Sequence, residues 1–369
     1  MRDSGLTGSG AAARASEAGA ALFEADGFIE ALARKLRRHP KRIVFPDGED
    51  ERVVRVAGEL VRREAAVPML VGRANVIRRM AEEAGIELEF VKILDPRHSS
   101  DVAVFCRYLT RIERFRGREI ENAREVVMQP HYFGAMMIQY GHADGLVGGN
   151  LSLPVSVFRP LLQLVKPMPD VPRVFATAIL HGAHLPHFGS EGVLYLADCG
   201  MNPEPSISEL AAIAVEAGKL ARIHLGRRPR VALVSHSTMG SSHLPAAERV
   251  RAATELARQR ADGNEVRIDG ELQVDVALVP EAAEIKLSHV SAQQPADVLV
   301  FPNLDAAHVA LKLLQHVAGA RVFGPLVCGL GRPAAQVPRT VSAESLLGTA
   351  LAVGVEAIKF HQLYPDGEV

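Results

Sequence analysis

Along nearly the whole chain, short apolar runs alternate with stretches whose apolar positions recur every three or four residues. The runs read as buried strands, the periodic stretches as helices with one face on a core. Phe28, Leu32 and Leu36 predict a helix ending before Pro40, with Lys35, Arg37 and Arg38 at the end where the helix dipole favours cations. A strand follows over 42–45, then a turn at Pro46, Asp47 and Gly48, then a helix carrying Val53, Ala57, Leu60 and Val61 inward. Residues 68–71 form the next strand, a helix runs from Gly72 to near Gly85, and 89–94 form a third strand. From 101 to 140 the pattern predicts two helices broken around Gly117. A strand over 143–150 runs into glycines, a helix covers 155–165, and the prolines of 167–172 mark a linker or crossover.

The cadence continues downstream. Strands are expected over 174–180 and 193–197, with a Gly- and His-rich turn between them. A helix from Ser208 turns Leu210, Ile213 and Ala214 inward. Further strands cover 231–234, 268–273, 297–301 and 321–328, and a last helix runs over 343–360. The helix after 297–301 is expected to bury Ala310, Leu313, Leu314 and Val317. Such alternation predicts an α/β fold with parallel sheets covered on both faces, and ligands beyond the carboxyl ends of the strands.

One stretch, 231–251, carries candidate chemistry. A small apolar strand runs into a polar, glycine-containing turn and then a helix from Pro245, with Val250, Ala253, Leu256 and Ala257 on one face. A helix N-terminus offers free N–H groups and the positive end of a dipole to an anion. Gly240, with Ser237, Thr238, Ser241 and Ser242 around it, lets a phosphate or acyl oxygen come close. An ordinary turn capped by serines has the same appearance.

Composition narrows the choice. With 369 residues the chain suggests two domains. Hydrophobic residues make up 48% and charged ones 23%, as in a soluble globular protein. Lys+Arg (42) and Asp+Glu (43) nearly cancel, and there is no Trp, so neither a polyanion-binding surface nor base stacking is indicated. The cysteines, Cys106, Cys199 and Cys328, are odd in number and lack metal-ligand spacing, which points to a reducing, cytoplasmic location. No apolar run is long enough for a bilayer, and residues 1–25 read as a flexible small-residue tail without a secretory core.

Several strand-end segments together carry a family resemblance: KRIVFPDGEDERV, YFGAMM, GHADGLVGG, LYLADCGMNPEPS, VALVSHSTMGSS, IDGELQVDVAL, VLVFPNLDAAHVA and RVFGPLVCGLGRP. In this order the chain resembles phosphate acetyltransferases and phosphate butyryltransferases. The resemblance implies two three-layer α/β domains with mainly parallel sheets and an interdomain cleft, as in isocitrate and isopropylmalate dehydrogenases. The first domain would be 26–168 plus 333–369 and the second 169–332. It further implies transfer of an acetyl or short acyl group between coenzyme A and inorganic phosphate, by way of acetyl phosphate. It implies a homodimer or larger homo-oligomer with no tightly bound cofactor and no metal; the composition already speaks against nucleic acid and membrane partners.

Residue by residue, the resemblance makes Arg339 and Arg159 the candidate catalytic residues, holding phosphate groups. Ser237, Thr238, Gly240 and Ser241 would line the cleft. Asn303 and Asp305 are either a helix cap or ligands at a helix N-terminus. Two family positions depart: the Ser before the Arg is Pro338, and the Asp of the last helix is Ser345, with Glu344 beside it. A third family position, an Arg, is Glu113, flanked by Arg114 and Arg116. A domain fused to malic enzymes, regarded as an acetyl-CoA sensor, has lost the same Ser and Asp. The alternative is therefore an impaired homologue that binds acetyl-CoA and regulates a partner. Asp269, Glu271 and Asp275 are acid–base candidates, although such acids more often pair with Arg. Cys199 and Cys328 read as buried thiols. His181, His184 and His187 are spaced like metal ligands, but Gly182 and Pro186 disfavour the helix this would need.

Overall fold

A computed structural model describes residues 23, 26–116, 122–169, 171–182, 184, 188–189, 191–287 and 294–363. Asp26 caps the first helix by accepting from the Phe28 and Ile29 amides, and α1 (Gly27–Arg37) buries Phe28, Ile29, Leu32, Ala33 and Leu36. The chain then lays down β1 (Lys41–Phe45), α2 (Glu51–Arg62), β2 (Ala66–Val71), α3 (Ala74–Ala84) and β3 (Lys92–Leu94). Next come α4 (Asp101–Arg116), α5 (Ala123–Met128), α6 (Pro130–Gln139), β4 (Gly145–Gly148) and α7 (Pro154–Leu164). The middle of the chain supplies β5 (Phe175–His181), β6 (Val193–Ala197), α8 (Ile207–Leu225), β7 (Arg230–Val234) and α9 (Pro245–Arg260). It continues with β8 (Arg267–Leu272), α10 (Val274–Leu278), α11 (Pro280–Lys286), β9 (Val298–Val300) and α12 (Leu304–His316). The last elements are β10 (Arg321–Cys328), β11 (Ala334–Gln336) and α13 (Ala343–Leu363).

The strands of the described residues join one sheet in the order β3-β2-β1-β4-β11-β10-β5-β6-β9-β7-β8. Two parallel blocks stand at its ends: β3, β2, β1, β4 and β11 in one, β6, β9, β7 and β8 in the other. Between them, β10 and β5 run antiparallel to every neighbour. The expected parallel sheet is thus interrupted where the chain crosses between blocks, and the blocks run antiparallel to each other. A strand's direction depends on which edge its connection enters, which periodicity does not encode.

The core is organised unequally on the two faces. On one face, α1, α2, α8, α9 and α13 pack with residues of both blocks into a continuous cluster that includes Leu36, Leu60, Leu220, Val250 and Leu351. On the other face there are two clusters. One gathers Phe105, Phe133, Leu146 and Leu161 over the first block; the other gathers Leu194, Leu196, Val276 and Leu311 over the second. Met201 packs against both.

Local expectations are corrected in several places. Only 92–94 of the third predicted strand pairs, because Phe90 takes a left-handed backbone conformation just before it. The 101–140 region forms α4, α5 and α6 instead of two helices, and Gly117 lies outside the described residues. On α12 the buried stripe is Ala307 and Leu311, while Leu313 and Val317 are exposed. Alanine at 307 lets the helix sit close to the sheet, which turns the larger side chains outward. Val61 is half-buried, whereas Val54 and Val56 on α2 are buried.

Candidate functional site: the strand-end loops

The loops after β1, β4 and β11 are tied together by three side chains from one short segment. Asp47, in the turn after β1, accepts from the Gly149 amide at 2.6 Å and from Ser152 Oγ at 2.9 Å, with His131 Nε2 at 3.3 Å. Burial alone would raise its pKa; the bonds to His131, Gly149 and Ser152 outweigh that and hold the carboxyl below the usual range. Asp50 caps α2 and accepts from Asn150 Nδ2 at 2.8 Å. It also takes a bidentate ion pair from Arg52, at 2.6 Å for the closest contact. Arg52 spends its remaining donors on the carbonyls of Asn150 (3.0 Å), Arg339 (2.9 Å) and Val341 (2.7 Å). Gly149 has φ +114° and leaves no room for a side chain: a Cβ there would lie 2.4 Å from the Val337 carbonyl.

Both candidate arginines sit on this scaffold. Arg159 is an exposed residue of α7, the helix that begins after the 149–153 loop and packs beside β11. Arg339 is exposed in the loop between β11 and α13. Its carbonyl is fixed by Arg52. Ser342 starts α13, its Oγ accepting from the Ser345 amide at 3.1 Å.

The 237–242 turn is built differently from the anion cradle expected of it. Glu271, 1% exposed, is its centre: Oε1 accepts from Ser237 Oγ at 2.8 Å and from the Gly240 amide at 2.9 Å, and Arg251 clasps both oxygens at 3.1 Å. Burial would raise the Glu271 pKa, but the bonds from Arg251, Gly240 and Ser237 hold it at about 2. The other amides are also spent locally. Thr238 donates to Ser241 Oγ, Met239 to the Glu271 carbonyl, Ser241 to the Thr238 carbonyl and Ser242 to Ser237 Oγ. Ser237 and Thr238 are buried, Gly240 is half-buried and Ser241 is exposed. An internal carboxylate thus engages the Ser237 hydroxyl and the Gly240 amide from within the fold.

The remaining candidates are resolved individually. Asn303 caps α12, accepting from the Ala306 amide at 2.9 Å, and Asp305 is exposed in its first turn. Asp269 pairs with Arg230 at 2.7 Å and Asp275 with Lys286 at 2.6 Å. Cys199 and Cys328 are buried, and burial raises both thiol pKa values. His181 contacts Asp26 at 2.7 Å and His184 the Ala318 carbonyl at 3.0 Å, while His187 lies outside the described residues. Among the described residues no cluster of His, Cys, Asp and Glu could hold a metal ion, and no helix is long and apolar enough to cross a membrane. Asp47, Asp50 and Arg52 went unrecognised as the knot of the site. Their signal was the segment KRIVFPDGEDERV, which carried the family resemblance without showing what its side chains do.

Two antiparallel-joined blocks, each with loops beyond its strand ends, define a dehydrogenase-like α/β architecture. A 4-hydroxythreonine-4-phosphate dehydrogenase from Klebsiella pneumoniae shares that fold at 14% identity (TM-score 0.50, covering 86% of this chain and 99% of that one). The chain belongs to the phosphate acetyl/butaryl transferase family, whose model matches residues 27–353. It is 36% identical over 330 residues to a phosphate acetyltransferase of Acetivibrio thermocellus, covering 89% of this chain and 98% of that protein. A phosphotransacetylase structure from Streptococcus pyogenes is similar at 30% identity and TM-score 0.81, covering 90% of this chain and 98% of that one.

Proposed function

We propose that this protein is a phosphate acyltransferase that moves an acetyl or short acyl group between coenzyme A and inorganic phosphate. In one direction the coenzyme A thiolate attacks the carbonyl carbon of the acyl phosphate. The carbon–sulfur bond forms, the carbon–oxygen bond to phosphate breaks, and inorganic phosphate leaves. The thiol proton passes to solvent. Arg159 and Arg339 hold phosphate oxygens, for which a guanidinium offers a bidentate fork. Their exposure on two neighbouring elements, Arg159 on α7 and Arg339 on the loop after β11, within a family match spanning most of the chain, is the observation that carries the reading.

The same reading makes 26–168 plus 333–369 one lobe and 169–332 the other, with a cleft between the two separate cores of the second face. Sheet twist supports it, because twist swings diagonally opposite corners of a wide sheet toward a common face. The strand ends of the two blocks occupy such corners. Coenzyme A would then rest against the outer rim of the 237–242 turn, at Gly240 and Ser241, while Ser237 and Thr238 keep the turn in shape. Asp305 would border the same space and Asn303 would hold its helix. No tightly bound cofactor is required; the protein would work as a cytoplasmic homodimer.

The test combines calorimetric titration with coenzyme A and an assay of thiol release from acetyl-CoA and butyryl-CoA in the presence of phosphate. Binding with phosphate-dependent turnover is expected. Binding without turnover of either thioester would contradict the catalytic reading, with Pro338 and Ser345 as the first positions to restore.

A further inference from the structure

A cavity of about 950 Å³ lies between α1, α8 and the second half of α13, with the 328–333 turn as its floor. It is not part of the arginine-bearing elements: neither Arg159 nor Arg339 lines it, and its floor precedes β11, whereas Arg339 follows it. Met168, Leu220, Ile223 and Leu330 give it an apolar lining.

Cations surround that lining, and only some are spoken for. Lys35 donates to the carbonyls of Ile223 (3.2 Å) and His224 (2.5 Å), tying α1 to the end of α8. Lys219 pairs with Glu216 at 2.7 Å, and Arg222 pairs with Glu265. Arg34, Arg38 and Lys359 line the cavity with no carboxylate partner among the described residues. Glu356, also on the wall, does not compensate them. Its Oε2 is sealed from solvent and has no hydrogen-bond partner among the described residues. Burial pushes its pKa up to about 8, so at neutral pH the group is mostly protonated and uncharged.

We propose that this cavity is a second binding site, separate from the acyl-transfer loops, for an organic anion with an apolar body and a phosphate or carboxylate head. Arg34, Arg38 and Lys359 take the head, in a concave site that concentrates their field. The apolar lining takes the body, as in most small-molecule pockets. Glu356 lies on the wall, and on binding its side chain turns the unsatisfied carboxyl oxygen out toward a polar atom of the ligand; a buried polar group without a partner is rare. A ligand seated there touches α1 and α13, which cover the first block, and α8, which covers the second.

Calorimetric titration of the full chain with decanoate and, separately, with AMP distinguishes an aliphatic carboxylate from a phosphate on a ring system. At least one probe is expected to bind. Its affinity should fall at least about tenfold when Arg34→Glu and Arg38→Glu are combined, since two attractive charges become repulsive. The same variant should keep wild-type coenzyme A affinity and turnover, because both positions are exposed at the end of α1, on a different element from Arg159 and Arg339. A second variant, Glu356→Gln, keeps the shape and should change probe affinity severalfold. Three results would overturn the proposal: no binding of either probe, affinity indifferent to the charge reversal, or displacement of the probe by coenzyme A. Failure here leaves the thioester assay untouched, so the two readings fall separately.

Discussion

Arg52 and Arg339, far apart in sequence, meet through one hydrogen bond: Arg52 Nη1 donates to the Arg339 carbonyl oxygen at 2.9 Å. The same guanidinium holds the Val341 and Asn150 carbonyls and is itself gripped by Asp50. One side chain therefore sets the spacing between the loop that carries Arg339 and the loop that leads to Arg159. It acts on the backbone and leaves both arginine side chains free of it.

Arg52→Ala should release that spacing and strand the buried Asp50 carboxylate. A loss of about 2 kcal/mol in unfolding free energy is expected, the scale of charged hydrogen bonds. Turnover should fall as well, with KM for phosphate and acyl phosphate rising. Arg52→Lys keeps the charge without the fork and should recover stability better than KM. Urea denaturation beside steady-state kinetics separates the two effects. An unchanged KM would remove Arg52 from the positioning of the site.

Glu271 should make the protein acid-sensitive in a defined window. Its carboxylate is held at about 2 in the fold against an ordinary 4.5, so the unfolded chain binds the extra proton between those values. The stabilisation is fully present above the ordinary value and is lost as pH falls toward 2. Glu271→Gln should cost about 2 kcal/mol at neutral pH, with a difference from wild type that shrinks in acid. Chemical denaturation across that range checks it; a pH-independent difference would contradict the assignment.

Glu356 should behave in the opposite sense. Its pKa is raised to about 8, so between 4.5 and 8 the folded state holds a proton that the unfolded chain has released. That group therefore opposes folding increasingly as pH rises through this window and levels off above it. Glu356→Gln should be more stable than wild type near pH 8, with the gain fading toward pH 4.5. Equal pH profiles for the two proteins would refute the burial argument.

Gly348 on α13 faces Phe323, and a Cβ at that position would lie 2.5 Å from the ring. The ring is fully buried and cannot swing away. Gly348→Ala should destabilise by about 1–3 kcal/mol through overpacking, although alanine is the better helix former. A raised melting temperature would show that the ring yields.

The alternation of strands and helices, the helix end at Gly85 and the helix start at Pro245, and the buried rows Phe28–Leu32–Leu36 and Val250–Ala253–Ala257 were legible because local spacing determines them. The antiparallel central strands were not, because β5 and β10 look like any other apolar run. The rotation of α12 was also hidden, since Ala307 and Val317 both fit a helical stripe and only the neighbouring strands choose between them. At the site, Arg159 and Arg339 came from the family resemblance. Their backbone support came from Asp47, Asp50 and Arg52, which meet Gly149, Asn150 and the 337–341 segment only after β1, β4 and β11 align. The internal bracing of the 237–242 turn by Glu271 was not legible, because a serine-rich loop that receives its own glutamate has the same spelling as one that receives a ligand.

The most direct measurement is the rate of acetyl-CoA formation from acetyl phosphate and coenzyme A by wild type, Arg159→Ala and Arg339→Ala. Both arginines are exposed, so the variants should melt like wild type. Wild type should turn over, and each variant should lose about 10²–10³ in kcat/KM, the scale of removing one charge-stabilising donor. A wild-type protein without turnover, or variants that match it, would contradict the account.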